Sequence, residues 1–185
     1  PMAASLSSTS VPAAVRIRCT RAPAQTASSR ENSPSLPAQT TTIDTCFSWG
    51  HLNFDDNDVL WSSFGPTGVE GWFDMNIWDE THDEQLAQGW TPFVLDYNGN
   101  GKRDAYTEPD EPADPTKDMR LAIQYYGDSP APDGSIWGSV RGMPGSLARM
   151  VPGANPSETA LTEIYDVPWD DSIASVRGFG PRGMD

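Results

Sequence analysis

The chain has 185 residues, among them 7 Trp, 17 Pro and 16 Gly, and its 26 acidic residues against 12 basic ones leave a net charge of −14. A surface this acidic repels nucleic acid and anionic membranes, and it favours solubility and cation binding. No run approaches the roughly 18–20 apolar residues that a membrane-spanning helix requires.

The charge is unevenly spread. Residues 1–40 hold 25 Ala, Ser, Pro or Thr, no aromatic residue, and Arg16, Arg18, Arg21 and Arg30 against Glu31 alone. Such a segment buries too little apolar surface to offset its ordering entropy, so 1–40 reads as a disordered low-complexity tail. Its Arg and Ser content fits a transit peptide. A start at Pro1 favours instead a fragment whose native N-terminus, with any signal peptide, lies upstream. Every Trp, Tyr and Phe lies beyond Thr40, and the folded body is expected over 41–185. Cys19 and Cys46 straddle the boundary, and two cysteines neither prove nor exclude an oxidising compartment.

In chain order, Thr40 to Phe47 is β-branched and alternating, and Trp49 to Asp55 alternates with Leu52 and Phe54 on one face, which predicts two strands. A turn at Asp55-Asp56-Asn57-Asp58 leads into Val59 to Trp61, then the Gly65-Pro66-Thr67-Gly68 turn. A strand follows from Val69 to Trp78, weighted by Trp72, Met75 and Trp78. Asp79 to Gly89 carries the one helical pattern, with Asp79 or Thr81 as its cap, Leu86 and Ala87 inward and Gly89 as its stop. Trp90 to Leu95 is a further strand. Glu108 to Pro115 is a Pro-rich acidic loop, and Arg120 to Tyr126 a strand with Leu121, Ile123 and Tyr125 alternating. Ile136-Trp137, Leu147 to Val151 and Ala160 to Val167 complete the set, each bounded by Gly or Pro.

One pattern occurs twice, 76 positions apart: Asn57-Asp58-Val59-Leu60-Trp61-Ser62-Ser63 and Asp133-Gly134-Ser135-Ile136-Trp137-Gly138-Ser139. Both copies run into a Gly/Pro turn, the second being Gly142-Met143-Pro144-Gly145, and then into another apolar run. Turn, strand, tight turn, strand, repeated, predicts stacked antiparallel sheets. The grouping makes a blade-like unit over about 49–96, an insertion over about 97–119 and a second unit over about 120–167. Four-stranded sheets repeated radially are the blades of a β-propeller. A β-sandwich uses similar short strands and is the alternative, but the Trp-centred repeat favours the propeller. Closure takes about four to eight blades, so this all-β chain is expected to be a propeller fragment whose faces meet the remaining blades of a longer protein.

Thr162-Glu163-Ile164-Tyr165-Asp166-Val167-Pro168, followed by Gly180-Pro181-Arg182-Gly183-Met184-Asp185, resembles the linker between blades of virginiamycin B lyase-like (streptogramin lyase-type) propellers. Asp133-Gly134-Ser135-Ile136-Trp137 resembles that family's Asp-Gly-x-Leu-Trp strand. The likeness covers only part of the body. Lyases of the family use a catalytic His and magnesium-binding acids in the channel. The residues after each Trp here, Ser62-Ser63-Phe64 and Gly138-Ser139-Val140, supply neither. The lyase activity therefore does not carry over to these two units.

The strongest chemical signal is Asp96-Tyr97-Asn98-Gly99-Asn100-Gly101-Lys102-Arg103-Asp104. Oxygen ligands at positions 1, 3, 5 and 9, with Gly at 6 for the sharp turn, are what calcium requires, and Lys102 at position 7 would offer its carbonyl. Position 12 is Thr107 rather than the bidentate acid of an EF-hand; Glu108 sits one place late, and Asp110 is a substitute. The loop resembles the Asp-x-Asn-x-Asn-Gly-x-x-Asp calcium loops of extracellular bacterial repeat domains. The expected metal set is Asp96, Asn98, Asn100, Lys102, Asp104 and Glu108, and a plain Asn-Gly hairpin turn is the alternative. Of the two imidazoles, His51 starts a strand near Asp55, Asp56 and Asp58 and is the weak catalytic candidate, while His82 reads as part of a solvated acidic face.

These features predict a calcium-binding propeller fragment of a secreted or periplasmic bacterial protein, a scaffold for a small-molecule or carbohydrate-like ligand. Two further readings stand beside it. One is part of a lyase- or lactonase-type propeller enzyme with its catalytic residues on other blades. The other is a calcium-dependent surface or adhesion module.

Overall fold

A computed structural model describes residues 41–184 apart from 64–67, 168–171, 173–174 and 176–177. The tail expected over 1–40 and most of the expected 65–68 turn lie outside the described residues.

The described body is mostly β-sheet. The first sheet is an antiparallel meander in chain order: β1 (Asn53–Phe54), β2 (Val59–Ser62), β3 (Val69–Asp74) and, after the short helices α1 (Met75–Thr81) and α2 (Glu84–Ala87), β4 (Gln88–Pro92). A small sheet follows, with order β5-β7-β6 from β5 (Val94–Leu95), β6 (Tyr106–Thr107) and β7 (Asp118–Arg120); β6 and β7 are parallel. The third sheet is another sequential antiparallel meander: β8 (Tyr125–Pro130), β9 (Ile136–Val140), β10 (Ser146–Val151) and, beyond α3 (Pro156–Thr159), β11 (Leu161–Asp166).

The turns are set by short acidic side chains. Asp55 Oδ1 accepts the backbone N–H groups of Asn57 and Val59 at 2.8 and 3.0 Å, and Oδ2 accepts Trp61 Nε1 at 3.0 Å. Asp58 then adopts φ 59° to turn the chain into β2. Asp133 does the same before β9, receiving Ser135 N–H at 3.0 Å, with Gly134 at φ 80°.

The helical segment differs from the sequence expectation. The strand beginning at Val69 ends at Asp74 because the Asp74 carboxylate caps α1, accepting N–H from Asn76 and Ile77. His82 at φ 52° breaks the helix, and Asp83 caps α2. The caps are thus Asp74 and Asp83, not Asp79 or Thr81. Ala87 is buried as expected, but Leu86 is 62% exposed. The strand expected over Arg120 to Tyr126 is interrupted: β7 ends at Arg120 and β8 starts at Tyr125.

The two four-stranded sheets face one another. Residues paired across strands share a face, so Trp61 and Trp72 point the same way, their rings 5.7 Å apart. In the other sheet Val140, Gly138 and Ile136 share a face with Tyr125, Asp128 and Pro130 of β8 and with Ser146, Ala148 and Met150 of β10. Trp61, Phe93, Tyr125, Ile136, Val140, Ala148, Met150 and Ala160 form one buried cluster between the sheets. The opposite face of the first sheet is covered by the 43–49 segment, whose Phe47 ring lies on Gly71. Trp137 looks the other way from Ile136, outward, and stacks on Tyr165 at 5.5 Å.

Candidate functional site

The Asp96–Asp104 loop follows β5 and folds on its own acidic and amide side chains. Gly99 and Gly101 adopt φ 74° and 73°, the left-handed turns that glycine accommodates. They curl the backbone around Asp96, whose carboxylate receives the N–H groups of Asn100 at 3.0 Å and Gly101 at 2.8 Å. The side chains of Asn98 and Asn100 turn to the same interior and donate to Asp104 Oδ2 at 3.1 and 2.6 Å. These amides, Asn100 first, hold the Asp104 carboxyl below its ordinary value. Asn100 Oδ1 accepts Lys102 N–H at 2.9 Å. Asp96, Asn98, Asn100 and Asp104 are therefore gathered in one turn.

The remaining expected ligand lies elsewhere. Glu108 is drawn to Arg120, Oε2 to Nη1 at 3.0 Å, and its N–H donates to Glu111. Among the described residues no three Asp, Glu, His or Cys side chains assemble as a metal cluster. The loop thus offers two carboxylates supplemented by amide and carbonyl oxygens, a hard and weakly charged donor set that fits calcium in chemistry.

Two residues not singled out from the sequence tie this loop to the fold. Asp118 of β7 is fully buried; its Oδ2 accepts Asp104 N–H at 2.6 Å, while its Oδ1 has no partner. Arg103 Nη1 donates to Thr91 Oγ1 of β4 at 2.7 Å and to the Pro156 carbonyl of α3 at 3.2 Å. One guanidinium in the loop therefore joins the first sheet to the helix beside the last. Burial lowers its pKa, opposed by Tyr106 and Asp118.

His51 is exposed and packs its ring 4.8 Å from that of Tyr126 rather than against the acids expected beside it. Both carboxylate oxygens of Asp55 are used within their own turn. His82 is exposed beside Trp78 at 5.4 Å, where its backbone closes α1.

A third constellation lies in the core. Glu70, on β3, stands on the face of Trp72, with Thr91 across the register on β4. In β8 the pairing passes from Tyr125↔Val140 directly to Asp128↔Gly138, a one-residue bulge. The bulge puts Tyr125 and Asp128, three apart in sequence, on one inward face. Ser139 Oγ satisfies the bulged backbone, lying 3.3 Å from Gly127 N and 3.4 Å from its carbonyl oxygen. Both oxygens of Glu70, both of Asp128 and the Tyr125 hydroxyl are buried without hydrogen-bond partners. Burial raises the Glu70 carboxyl well above its ordinary value, and Asp128 raises it further. Burial likewise lifts Asp128 to about 7. The period of two already places Glu70 beside Trp72; the bulge that brings Asp128 to it leaves no mark in the sequence.

Comparison with models of known families, with curated proteins and with solved structures gives no match.

Proposed function

We propose that this chain is a calcium-stabilised scaffold of propeller-type sheet units, and that the Asp96–Asp104 loop is its calcium site. The observation that carries the calcium reading is the convergence of Asp96, Asn98, Asn100 and Asp104 in one turn already shaped by the N–H groups on Asp96. Two amide groups crowd Asp104 Oδ2, where a cation would supply the missing positive charge. Only two carboxylates take part, so affinity falls in the range of extracellular modules, on the order of 10⁻⁴–10⁻³ M. That range suits a secreted or periplasmic setting. Through Arg103, an ordered loop stabilises the bond between β4 and α3.

The propeller reading rests on the two repeated tryptophans. Trp61 points from the first unit into the second, and Trp137, its counterpart, points away from the first. Equivalent residues on opposite sides of the shared core are what head-to-tail repetition produces; a two-fold sandwich would turn both inward. A ligand-binding scaffold follows better than an enzyme, because the Glu70–Asp128 carboxylates are sealed from solvent.

Calorimetric titration with calcium tests the site. Wild type should bind one ion with a submillimolar to millimolar dissociation constant, and Asp96→Ala should bind none. Magnesium should substitute poorly, because it demands a tighter octahedron. Absence of both heat and thermal stabilisation in wild type at 10 mM calcium reduces the loop to a turn.

A further inference from the structure

We propose that His51, Tyr126, Arg141 and Arg182 form a binding site for an oxyanion, the carboxylate or phosphate group of a small ligand. The site goes beyond the calcium loop and shares no residue with it.

The placement of charge is the first observation. Arg120 and Arg149 are paired with carboxylates, Arg149 with both Asp133 and Glu163. Arg103 is spent on Thr91 and Pro156. Arg141 and Arg182, in a chain of net charge −14, instead approach one aromatic ring: their guanidinium carbons lie 4.8 and 5.3 Å from the Tyr126 centroid. His51 meets the same ring at 4.8 Å. Two guanidiniums and an imidazole surround one tyrosine, and neither arginine has a carboxylate partner among the described residues.

The geometry is fixed by backbone. Tyr126 occupies the β8 bulge, so its side chain is set outside the alternation of the strand. Arg141 follows β9. Arg182 is carried by a C-terminal segment that crosses the loop after Arg141, with Gly145 N–H donating to the Gly178 carbonyl at 3.0 Å and Gly180 N–H to the Gly142 carbonyl at 3.2 Å. Gly127 and Gly183 then pass so closely that a Cβ on Gly127 would lie 3.5 Å from Gly183 Cα. These contacts bring both arginines to the ring.

Chemistry decides the ligand class. A guanidinium resting on a ring face by cation–π attraction still presents its N–H edge for planar, bidentate recognition of carboxylate or phosphate. Two guanidiniums held at one ring without carboxylate partners make a local positive potential, and an oxyanion reaching their N–H edges gains charge-assisted hydrogen bonds. A neutral ligand gains nothing from that potential.

Ligand-observed NMR on the full chain, freed of calcium on a chelating resin so that no soluble polycarboxylate is present, tests this whether or not the chain associates. Inorganic phosphate is followed by ³¹P line broadening and acetate by saturation transfer, at constant ionic strength set with chloride. The expected result is saturable binding of at least one of the two, and the one that binds identifies the source of the oxyanion. Arg141→Gln/Arg182→Gln should weaken it at least tenfold, and Arg141→Lys/Arg182→Lys, which keeps charge but loses the fork, should fall between. All four positions lie at the surface or beside it, and circular dichroism confirms that the variants fold. Binding of neither anion, binding that excess chloride abolishes, or a double Gln variant within twofold of wild type overturns the proposal.

Discussion

The ring of Tyr125 lies against the backbone of Gly138: a Cβ at Gly138 would stand 2.1 Å from Tyr125 Cγ. Gly71 beneath Phe47 and Gly89 beneath Trp72 repeat the arrangement, each with a 2.1 Å approach. Gly138→Ala therefore forces a core ring out of place and should cost about 1–3 kcal/mol or more in urea denaturation. Gly127→Ala, whose Cβ meets nothing nearer than 3.5 Å, is the control and should cost less. Equal losses in the two variants would show that the ring moves freely.

The buried carboxylates predict a protein that weakens toward alkaline pH. An acid whose pKa is raised on folding holds its proton more tightly in the native state, so its contribution is greatest below the unfolded value and is lost as pH rises. For Asp128 the loss runs from about pH 4, the unfolded value, to about 7. Glu70, raised by burial and by Asp128, adds to the fall in the same direction. Glu70→Gln and Asp128→Asn should each flatten the fall in Tm between pH 5 and 8, and each should exceed wild type at pH 8. Slopes that match wild type would mean the carboxyls do not hold protons in the fold.

Arg103 and Asp96 separate two roles of one loop. Arg103→Met removes the bonds to Thr91 and Pro156, and should destabilise the calcium-free chain by about 1.5–3 kcal/mol. Asp96→Ala should cost most of its stability only in calcium, where wild type gains on the order of 1.4–2.7 kcal/mol at 10 to 100 times the dissociation constant. Thermal scans with and without calcium distinguish them. A calcium-free Arg103→Met that melts with wild type would show that the clamp contributes nothing.

Exposed apolar side chains sit at the rims of both sheets. Leu52 and Phe54 are 50% and 55% exposed beside β1, and Ile164 and Tyr165 are exposed on β11. Open faces and strand edges of this kind template association. Light scattering on the isolated chain should show mass rising with concentration, and Phe54→Glu combined with Tyr165→Glu should suppress it. A wild-type monomer at high concentration counts against the propeller reading.

Strands that follow a turn signal were legible, as after Asp133-Gly134 and after Asp55 to Asp58. The strand expected over Thr40 to Phe47 is not formed by its described residues, and that over Trp49 to Asp55 shortens to Asn53–Phe54, because the 43–49 segment lies across the face of the first sheet instead of pairing in it. The interruption of the helix at His82 was not legible, because a histidine in a left-handed conformation is fixed by the caps on either side and not by its own propensity. The Gly-turned loop over Asp96 to Asp104 could be read from spacing alone, since its bonds are local. Asp118 and Arg103 could not, because their partners lie 12 to 53 positions away in sequence. Glu70 sat on a readable core face, yet its meeting with Asp128 depends on packing between sheets.

The bulge at Tyr126–Gly127 acts as a change of reading frame in β8. Upstream of it the odd-numbered Tyr125 faces the core; downstream the even-numbered Asp128 and Pro130 do. Loss of one of those two residues would restore plain alternation through the strand and leave Asp128 and Pro130 inward, opposite Gly138 and Ile136. Made at Gly127, the same deletion would draw Tyr126 back into the pleat, away from the arginines. A length change of one residue thus reaches the exposed cations while leaving the interior acids in register.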